Sequence, residues 1–295
     1  MAWETGSMTA RPAGAALLPL VVAAVACSSA VVTDAAPDCP PSPFRSSPPQ
    51  VIAHSGGEGL GPANSLVAIA RSLAAGADIV DVDVRMTADG VVVATHDRDV
   101  ATTTDGTGNV DELTWDAVQQ LDARAAWAGD PIASPVRIPS LQQVLDAVPE
   151  GWVSVEIKQT TPPIGEDLCA VLRRAGATDR VYLSSNVDEA LFEAHERCPE
   201  VLITTTYRDL DEMRAARESG RSICAPAPIG QPPYREFDAA TVAERHAAGT
   251  ALFTWTVDDP DQLRHLAEVG IDGVYTRRPD IARTVFDDLP RTPFS

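Results

Sequence analysis

The sequence predicts an α/β protein, a (β/α)8 TIM barrel with a β-hairpin excursion after the second strand. Three observations predict it. Apolar strand-like runs alternate with helical patterns eight times in about 230 residues, as eight βα units require. The Gly-rich phosphate fingerprint of a doubly wound sheet is absent. A turn signal at Ala88, Asp89 and Gly90 folds one additional run back onto the second strand.

Residues 1–36 stand outside the alternation. A polar start leads into the apolar run AALLPLVVAAVAC, which has secretory length and is too short to span a bilayer comfortably. The segment is expected to be a signal peptide, or a lipoprotein signal in which AVAC presents Cys27 for lipidation as a membrane tether. Either one sends the mature protein out of the cytoplasm, as a secreted or cell-surface protein. Residues 37–50, rich in Pro and Ser, predict an extended, solvated linker, and the barrel is expected over 51–295. Four cysteines follow Cys27, at Cys39, Cys169, Cys198 and Cys224. In an oxidising compartment they predict one or two disulfides, with three full pairings open, and their spacing resembles no zinc site.

The first strand is VIAH (51–54), after which a loop with four glycines leads into the helical pattern NSLVAIARSLAAG. The second is DIVDVDV (78–84). Counting outward from a turn centred between residues 88 and 89, the returning run VVVATH sets residue 96 across from residue 81. The remaining strands are WVSVEIK (152–158), RVYLSS (180–185), VLITTTY (201–207), SICAP (222–226), ALFTWTV (251–257) and DGVYT (272–276). Helical patterns such as VDEALFEAHER and DPDQLRHLAEVG lie between them.

Charge narrows the function. With 42 acidic and 23 basic residues the net charge is −19, which repels nucleic acid and anionic lipid faces. An anionic ligand must therefore be held by local positive charge.

In such a barrel the chemistry sits at the C-terminal ends of the strands. His54 closes the first, Asp81 and Asp83 the second, Glu156 and Lys158 the third, and Trp255 lies near the end of the seventh. Side chains at i and i+2 share a face, so Asp81 pairs with Asp83 and Glu156 with Lys158. Two buried carboxylates on one strand repel, and a divalent cation between them removes that cost. The hairpin returns His96 to the pair. Singly each feature is ordinary surface or loop chemistry; together they make a cluster of two histidines and three carboxylates. His195, His246 and His265 fall in charged helical patterns and are expected to be solvated.

These residues resemble the glycerophosphodiester phosphodiesterases. That family opens with H-R-G-G, four variable residues and P-E-N-T, and HSGGEGLGPANS keeps the spacing. Its G-A-D-x-x-E-x-D-V, T-x-D-G and H-D are similar to GADIVDVDVRMTADGVVVATHD, and the likeness continues through TTDGTG, IPSLQQVL and VEIK to TWTVDDPDQLRHLAEVGIDGVYTRRPD. The resemblance implies a divalent cation on Asp81, Asp83 and Glu156, acid-base catalysis by His54 and His96, and a small phosphodiester as substrate. Oxygen-only ligands indicate Ca²⁺ or Mg²⁺. Lys158, Ser55 and Trp255 are expected to contact the substrate. Three departures stand out: Ser55 replaces the family's arginine, Ala63 its glutamate, and Asp81 another glutamate. Two other readings stay open, a phospholipid-cleaving enzyme of sphingomyelinase D type and a non-catalytic barrel binding an anionic ligand.

Overall fold

The computed structural model describes residues 37–289. The expected signal segment with Cys27 lies outside the described residues. Eight parallel strands run β1 (Gln50–Ala53), β2 (Ile79–Met86), β4 (Trp152–Ile157), β5 (Val181–Ser184), β6 (Leu202–Ile203), β7 (Ile229–Gly230), β8 (Ala251–Thr254) and β9 (Gly273–Thr276). Their spatial order is β6-β5-β4-β2-β1-β9-β8-β7, and a parallel bridge between Thr204 and Ile229 joins the two ends into a barrel. Strand β3 (Val92–Ala94) pairs antiparallel with β2, as the predicted hairpin requires.

Helices cover the outside: α1 (Leu66–Ala74), α3 (Leu141–Ala147), α4 (Gly165–Arg174), α5 (Asp188–Arg197), α6 (Tyr207–Glu218), α7 (Ala239–Ala247), α8 (Pro260–Glu268) and α9 (Pro279–Asp287), with one short turn, α2 (Trp115–Val118), in the loop after β3. Their starts are fixed by local chemistry. Ser65 caps α1, and reciprocal side-chain and backbone bonds between Ser140 and Gln143, and between Thr206 and Asp209, open α3 and α6.

Strand alternation sorts the side chains into two rows. On β2 and β4, Val80, Val82, Val84, Val153, Val155 and Ile157 face outward into the cluster shared with α3, α4 and α5. The opposite row is apolar at the strand starts and polar at their ends. Ile79, Trp152 and Tyr182 belong to the barrel interior together with Ile52 and Phe253. Asp81, Asp83 and Glu156 continue the same rows two and four residues on, which brings them to the mouth.

Residues 37–49 differ from the expected solvated linker. Phe44 is buried in the barrel interior, 4.8 Å from Trp152 and 6.0 Å from Tyr182 and Phe253, edge-on to each. Because its partners include the first residue of β4, it closes the N-terminal end, where the barrel would otherwise leave aromatic surface wet. A Cys39–Cys224 disulfide and bonds from Arg45 Nε (3.0 Å) and Ser46 N–H (3.2 Å) to Asp272 Oδ1 hold the segment there. The domain therefore begins before Gln50. The second disulfide joins Cys169 to Cys198, which settles the pairing.

Three further expectations are corrected. SICAP is not a strand: Cys224 is tied to Cys39, Pro226 and Pro228 lack the N–H a ladder needs, and pairing begins only at Ile229. The hairpin register is one residue from the predicted one. Val84 pairs with Ala94 and Met86 with Val92, so the centre lies at residue 89 and the ladder opposes 81 to 97, not 96. His246 is not solvated, because its Nε2 lies 2.7 Å from Asp272 Oδ2 and its side chain is 12% exposed. His195 is half-buried with its Nδ1 inside, and His265 is exposed as expected.

Candidate active site

His54 leaves β1 into a single 3-10 turn, His54–Gly56, whose carbonyl at His54 accepts from Gly57 N–H. The chain then reverses so closely against α1 that a Cβ at Gly57 would lie 1.9 Å from Ser72 Oγ, and its φ of +88° also favours glycine. Ser55 and Asn64 are held in the left-handed region, with φ of 48° and 57°. A serine pays roughly 1–2 kcal/mol for that conformation, and here it is offset by bonds to the carboxylates. Ser55 Oγ donates to Asp83 Oδ2 at 2.9 Å, and its N–H donates to Asp81 Oδ2 at 3.3 Å. Asn64 Nδ2 donates to Asp83 Oδ2 at 2.8 Å while its Oδ1 accepts from Asp83 N–H at 3.0 Å.

Asp83 sits directly across from Glu156 in the parallel register, and Asp81 across from Ser154. Lys158 Nζ lies 3.3 Å from Asp83 Oδ1 and 2.5 Å from Glu156 Oε1, so its charge bridges the two acids. Burial pushes the Asp83 carboxyl up, but the Lys158 charge and the Asn64 and Ser55 hydrogen bonds outweigh it and hold the group low. Asp81 has weaker help: burial raises it to about 7, and the opposing charge of His54 and a Ser154 hydrogen bond only limit the rise. Lys158 is partly buried, which lowers its pKa, yet Asp83 and Glu156 bring it above its ordinary value.

Burial likewise pulls His54 down. Glu58, whose Oε1 is 3.5 Å from His54 Nδ1, and the charges of Asp81 and Asp83 overcome this and raise it to about 9. That contact is an ion pair without hydrogen-bond geometry, since His54 Nδ1 is buried with no hydrogen-bond partner. His96 is half-exposed at the rim, with Nδ1 3.0 Å from Asp97 Oδ1.

A cavity of about 250 Å³ joins these groups. Its lining includes His54, Asp81, His96, Glu156, Lys158 and Tyr275. The register that opposes 81 to 97 does not exclude His96, because the last backbone bond of the hairpin runs from Thr95 N–H to the Asp83 carbonyl at 2.8 Å and His96, beyond it, lines the cavity. Trp255, 39% exposed, lines the far side and donates from Nε1 to the Gln231 carbonyl. Ser55 does not line the cavity. It is 2% exposed and faces Asp83, which corrects the expectation that it touches substrate: the left-handed turn aims its hydroxyl behind the carboxylates. A larger cavity of about 320 Å³ beside α6 and α7 lies away from the strand ends and contains none of these groups.

Several wall residues escape a reading of the sequence. Ser184 ends β5, with Ser185 and Asn186 just beyond it, Gln231 directly follows β7, and Tyr275 is on β9. Tyr275 is buried, with its hydroxyl 2.9 Å from Tyr182 and 3.3 Å from Ser154 Oγ, and it also receives a bond from Gln231. Ser184 and Tyr275 each fall two residues after an inward residue, a signal present in the sequence. Gln231 has the same relation to Ile229, but the misplaced strand at 222–226 conceals it.

Whether the acids suit a cation can be tested on these contacts. Asp83 Oδ1 is buried without a hydrogen bond, Asp81 is buried with a raised pKa, and all the donors are oxygens, which is the chemistry of a hard divalent ion. The donor set fits, but the arrangement does not enclose an ion. Among the described residues no group of three or more His, Cys, Asp or Glu is disposed to hold a metal, and the Lys158 ammonium bridges Asp83 and Glu156.

Asn64→Ala tests the local network. It removes both bonds to Asp83 and leaves a buried N–H and a carboxylate oxygen short of partners, which is expected to cost about 1–3 kcal/mol in chemical denaturation. A loss under ~0.5 kcal/mol would contradict the network's role.

Comparison with known proteins agrees with the geometry. The model of the glycerophosphoryl diester phosphodiesterase family matches residues 54–281. A glycerophosphodiester phosphodiesterase of Caldanaerobacter subterraneus subsp. tengcongensis is 31% identical over 238 residues, covering 78% of this chain and 94% of that one. A Mycobacterium tuberculosis protein named probable glycerophosphodiester phosphodiesterase 2 is 31% identical over 237 residues, covering 76% and 85%. Among solved structures, a Silicibacter pomeroyi protein assigned to the same family superimposes with a TM-score of 0.71 at 26% identity, over 83% of this chain and 96% of that one. With a family model spanning the barrel from its first strand-end histidine to α9, the chain belongs to the glycerophosphoryl diester phosphodiesterase family.

Proposed function

We propose that the protein hydrolyses glycerophosphodiesters to glycerol phosphate and an alcohol, using His54 and His96 to move protons. The observation that carries the reading is the meeting of both histidines, Lys158 and the acids Asp81 and Glu156 in one cavity at the barrel mouth. In the metal-free site the charges of Glu58, Asp81 and Asp83 favour protonated His54, the form that can give a proton to a leaving alkoxide. His96, paired through Nδ1 with Asp97, has its other nitrogen for taking a proton from the attacking hydroxyl. Lys158 neutralises phosphoryl oxygen charge, the local cation that a chain of net charge −19 needs for an anionic substrate. Asp81, Asp83 and Glu156 would hold one divalent cation, Ca²⁺ or Mg²⁺, only with the Lys158 ammonium displaced from Asp83 and Glu156, and the ion would then supply Lewis-acid stabilisation of the phosphoryl group.

Export is part of the same proposal. Two disulfides, Cys39–Cys224 and Cys169–Cys198, support work in an oxidising compartment. No helix among the described residues is long and apolar enough to cross a membrane.

The cation is tested by melting. At about 100 times its dissociation constant, a bound ion stabilises the native state by about 2.7 kcal/mol. Ca²⁺ or Mg²⁺ is expected to raise Tm in wild type, chelator to reverse the rise, and Glu156→Gln to abolish most of it. An identical Tm with and without ion would reject the ligand set. Chelator-sensitive release of glycerol phosphate from glycerophosphocholine and glycerophosphoglycerol tests the activity.

A further inference from the structure

One nitrogen of His54 has no work in the proposed proton transfer. Nδ1 is buried without a hydrogen-bond partner, although the side chain as a whole is 26% exposed. The accessible edge of the ring is therefore the other one, so Nε2 is the nitrogen that can meet a substrate and Nδ1 is turned into the protein. A buried ring nitrogen without a partner is unfavourable, and more so while the ring carries charge.

The chain folds one carboxylate back to that nitrogen. Ser55, Gly56 and Gly57 all have positive φ, at 48°, 76° and 88°, so the backbone reverses immediately after His54 and returns residue 58 to it. Glu58 N–H donates to the His54 carbonyl at 3.2 Å, and Glu58 Oε1 stands 3.5 Å from Nδ1. The next residue is pinned as well. Gly59 N–H donates to the Arg277 carbonyl at 3.0 Å, and a Cβ at Gly59 would lie 2.5 Å from that same oxygen. Arg277 is itself held by Asp258, which accepts from its backbone N–H at 2.8 Å and from its Nε at 2.6 Å. The backbone on both sides of Glu58 is thus fixed, and the guanidinium that could draw its carboxylate away is occupied. Of the carboxylates whose charge acts on His54, Asp81 and Asp83 belong to the proposed cation set and Glu58 does not. A bound ion would neutralise the first two and leave Glu58 unchanged.

We propose that Glu58 is the positioning residue of His54: its carboxylate accepts from Nδ1–H, fixes the tautomer and the ring orientation that present Nε2 to the substrate, and stabilises the imidazolium that gives up the proton. Closing the gap from 3.5 Å to the ~2.7–2.9 Å of a charge-assisted bond needs movement of one partly exposed side chain. The inference rests on the reading of His54 as the group that protonates the leaving alkoxide. In that step the P–O bond to the leaving alcohol breaks with its electrons on oxygen, Nε2 delivers the proton to that oxygen, and neutral imidazole remains with Nδ1–H on Glu58, which itself takes no proton.

The test compares kcat and KM of wild type, Glu58→Gln, His54→Ala and the double variant on two diesters, glycerophosphoglycerol and the p-nitrophenyl ester of glycerol phosphate, whose leaving group departs without a proton. Glu58→Gln keeps the shape and removes the charge, so kcat on glycerophosphoglycerol should fall about 10–100-fold, the worth of one charge-assisted hydrogen bond, with KM within about twofold. On the p-nitrophenyl ester the loss should shrink to under about threefold. The double variant should be no slower than His54→Ala, because Glu58 acts through that ring. Equal losses on the two diesters, or a double variant slower than His54→Ala by the same factor as the single change, would give Glu58 a role apart from His54 and overturn the assignment. An unimpaired kcat in Glu58→Gln beside a slow His54→Ala would overturn it too, and the hydrolase reading would stand. A His54→Ala variant as active as wild type on glycerophosphoglycerol, or a wild type that turns over neither diester, would remove both.

Discussion

Replacing His54 with alanine is expected to lower kcat on a glycerophosphodiester by about 10²–10⁴-fold, the range for a group that transfers a proton in the transition state. In the proposed mechanism the residue has that work and little else. Its side chain is about one quarter exposed in the cavity, and its Nδ1 makes no hydrogen bond that would make the ring a structural brace. The fold should therefore survive the change, and melting within a few degrees of wild type would separate lost chemistry from lost structure. One secondary effect is foreseeable. The His54 charge opposes the rise of the Asp81 pKa, so its removal makes that buried carboxyl still easier to protonate. His96→Ala belongs beside it, because two proton-transfer groups predict two comparable losses. Retention of activity within about threefold in either variant would remove that histidine from the mechanism.

Phe44→Ala is expected to destabilise the protein by about 3–5 kcal/mol, the usual cost of emptying a buried aromatic site. The side chain is 3% exposed and meets Trp152, Tyr182 and Phe253 edge-on, so its removal leaves a cavity walled by rings that cannot readily collapse into it. At about 2–4 °C per kcal/mol for a domain of this size, the melting temperature should fall on the order of 10 °C. Activity well below the new midpoint should be preserved, because Phe44 closes the end of the barrel opposite the mouth. A change under about 1 kcal/mol would mean that residues 37–49 do not plug the barrel.

The parts of this molecule that follow from periodicity were legible in the sequence. Alternation along DIVDVDV and WVSVEIK fixes which side chains face inward, and the strand ends then deliver Asp81, Asp83, Glu156 and Lys158 to one mouth. What periodicity does not encode was lost. The Pro/Ser composition of residues 37–50 indicates solvation, and only the packing of the N-terminal barrel end reveals why one phenylalanine overrides it. SICAP has the apolar content of a strand, but ladder pairing fails at its prolines, and that error hid Gln231. Spacing alone sets Ser55 against the substrate because it gives no backbone dihedral; the left-handed turn that points its hydroxyl at Asp83 exists only in three dimensions. The hairpin was predicted with its centre half a residue away, which shifts pairing by a full residue, and His96 reaches the cavity only because the ladder has already ended.

The central claim is that this barrel mouth cleaves glycerophosphodiesters through its histidines, and phosphorus NMR tests it most directly. Purified protein with Ca²⁺ or Mg²⁺ is incubated with glycerophosphoglycerol, and the diester resonance is followed beside a parallel sample of His54→Ala. The account predicts conversion of the diester signal to that of glycerol phosphate with wild type, and at least a hundredfold slower conversion with the variant, as loss of a proton-transfer group implies. A diester signal that wild type leaves intact with either ion, or one that both proteins consume at the same rate, would contradict it.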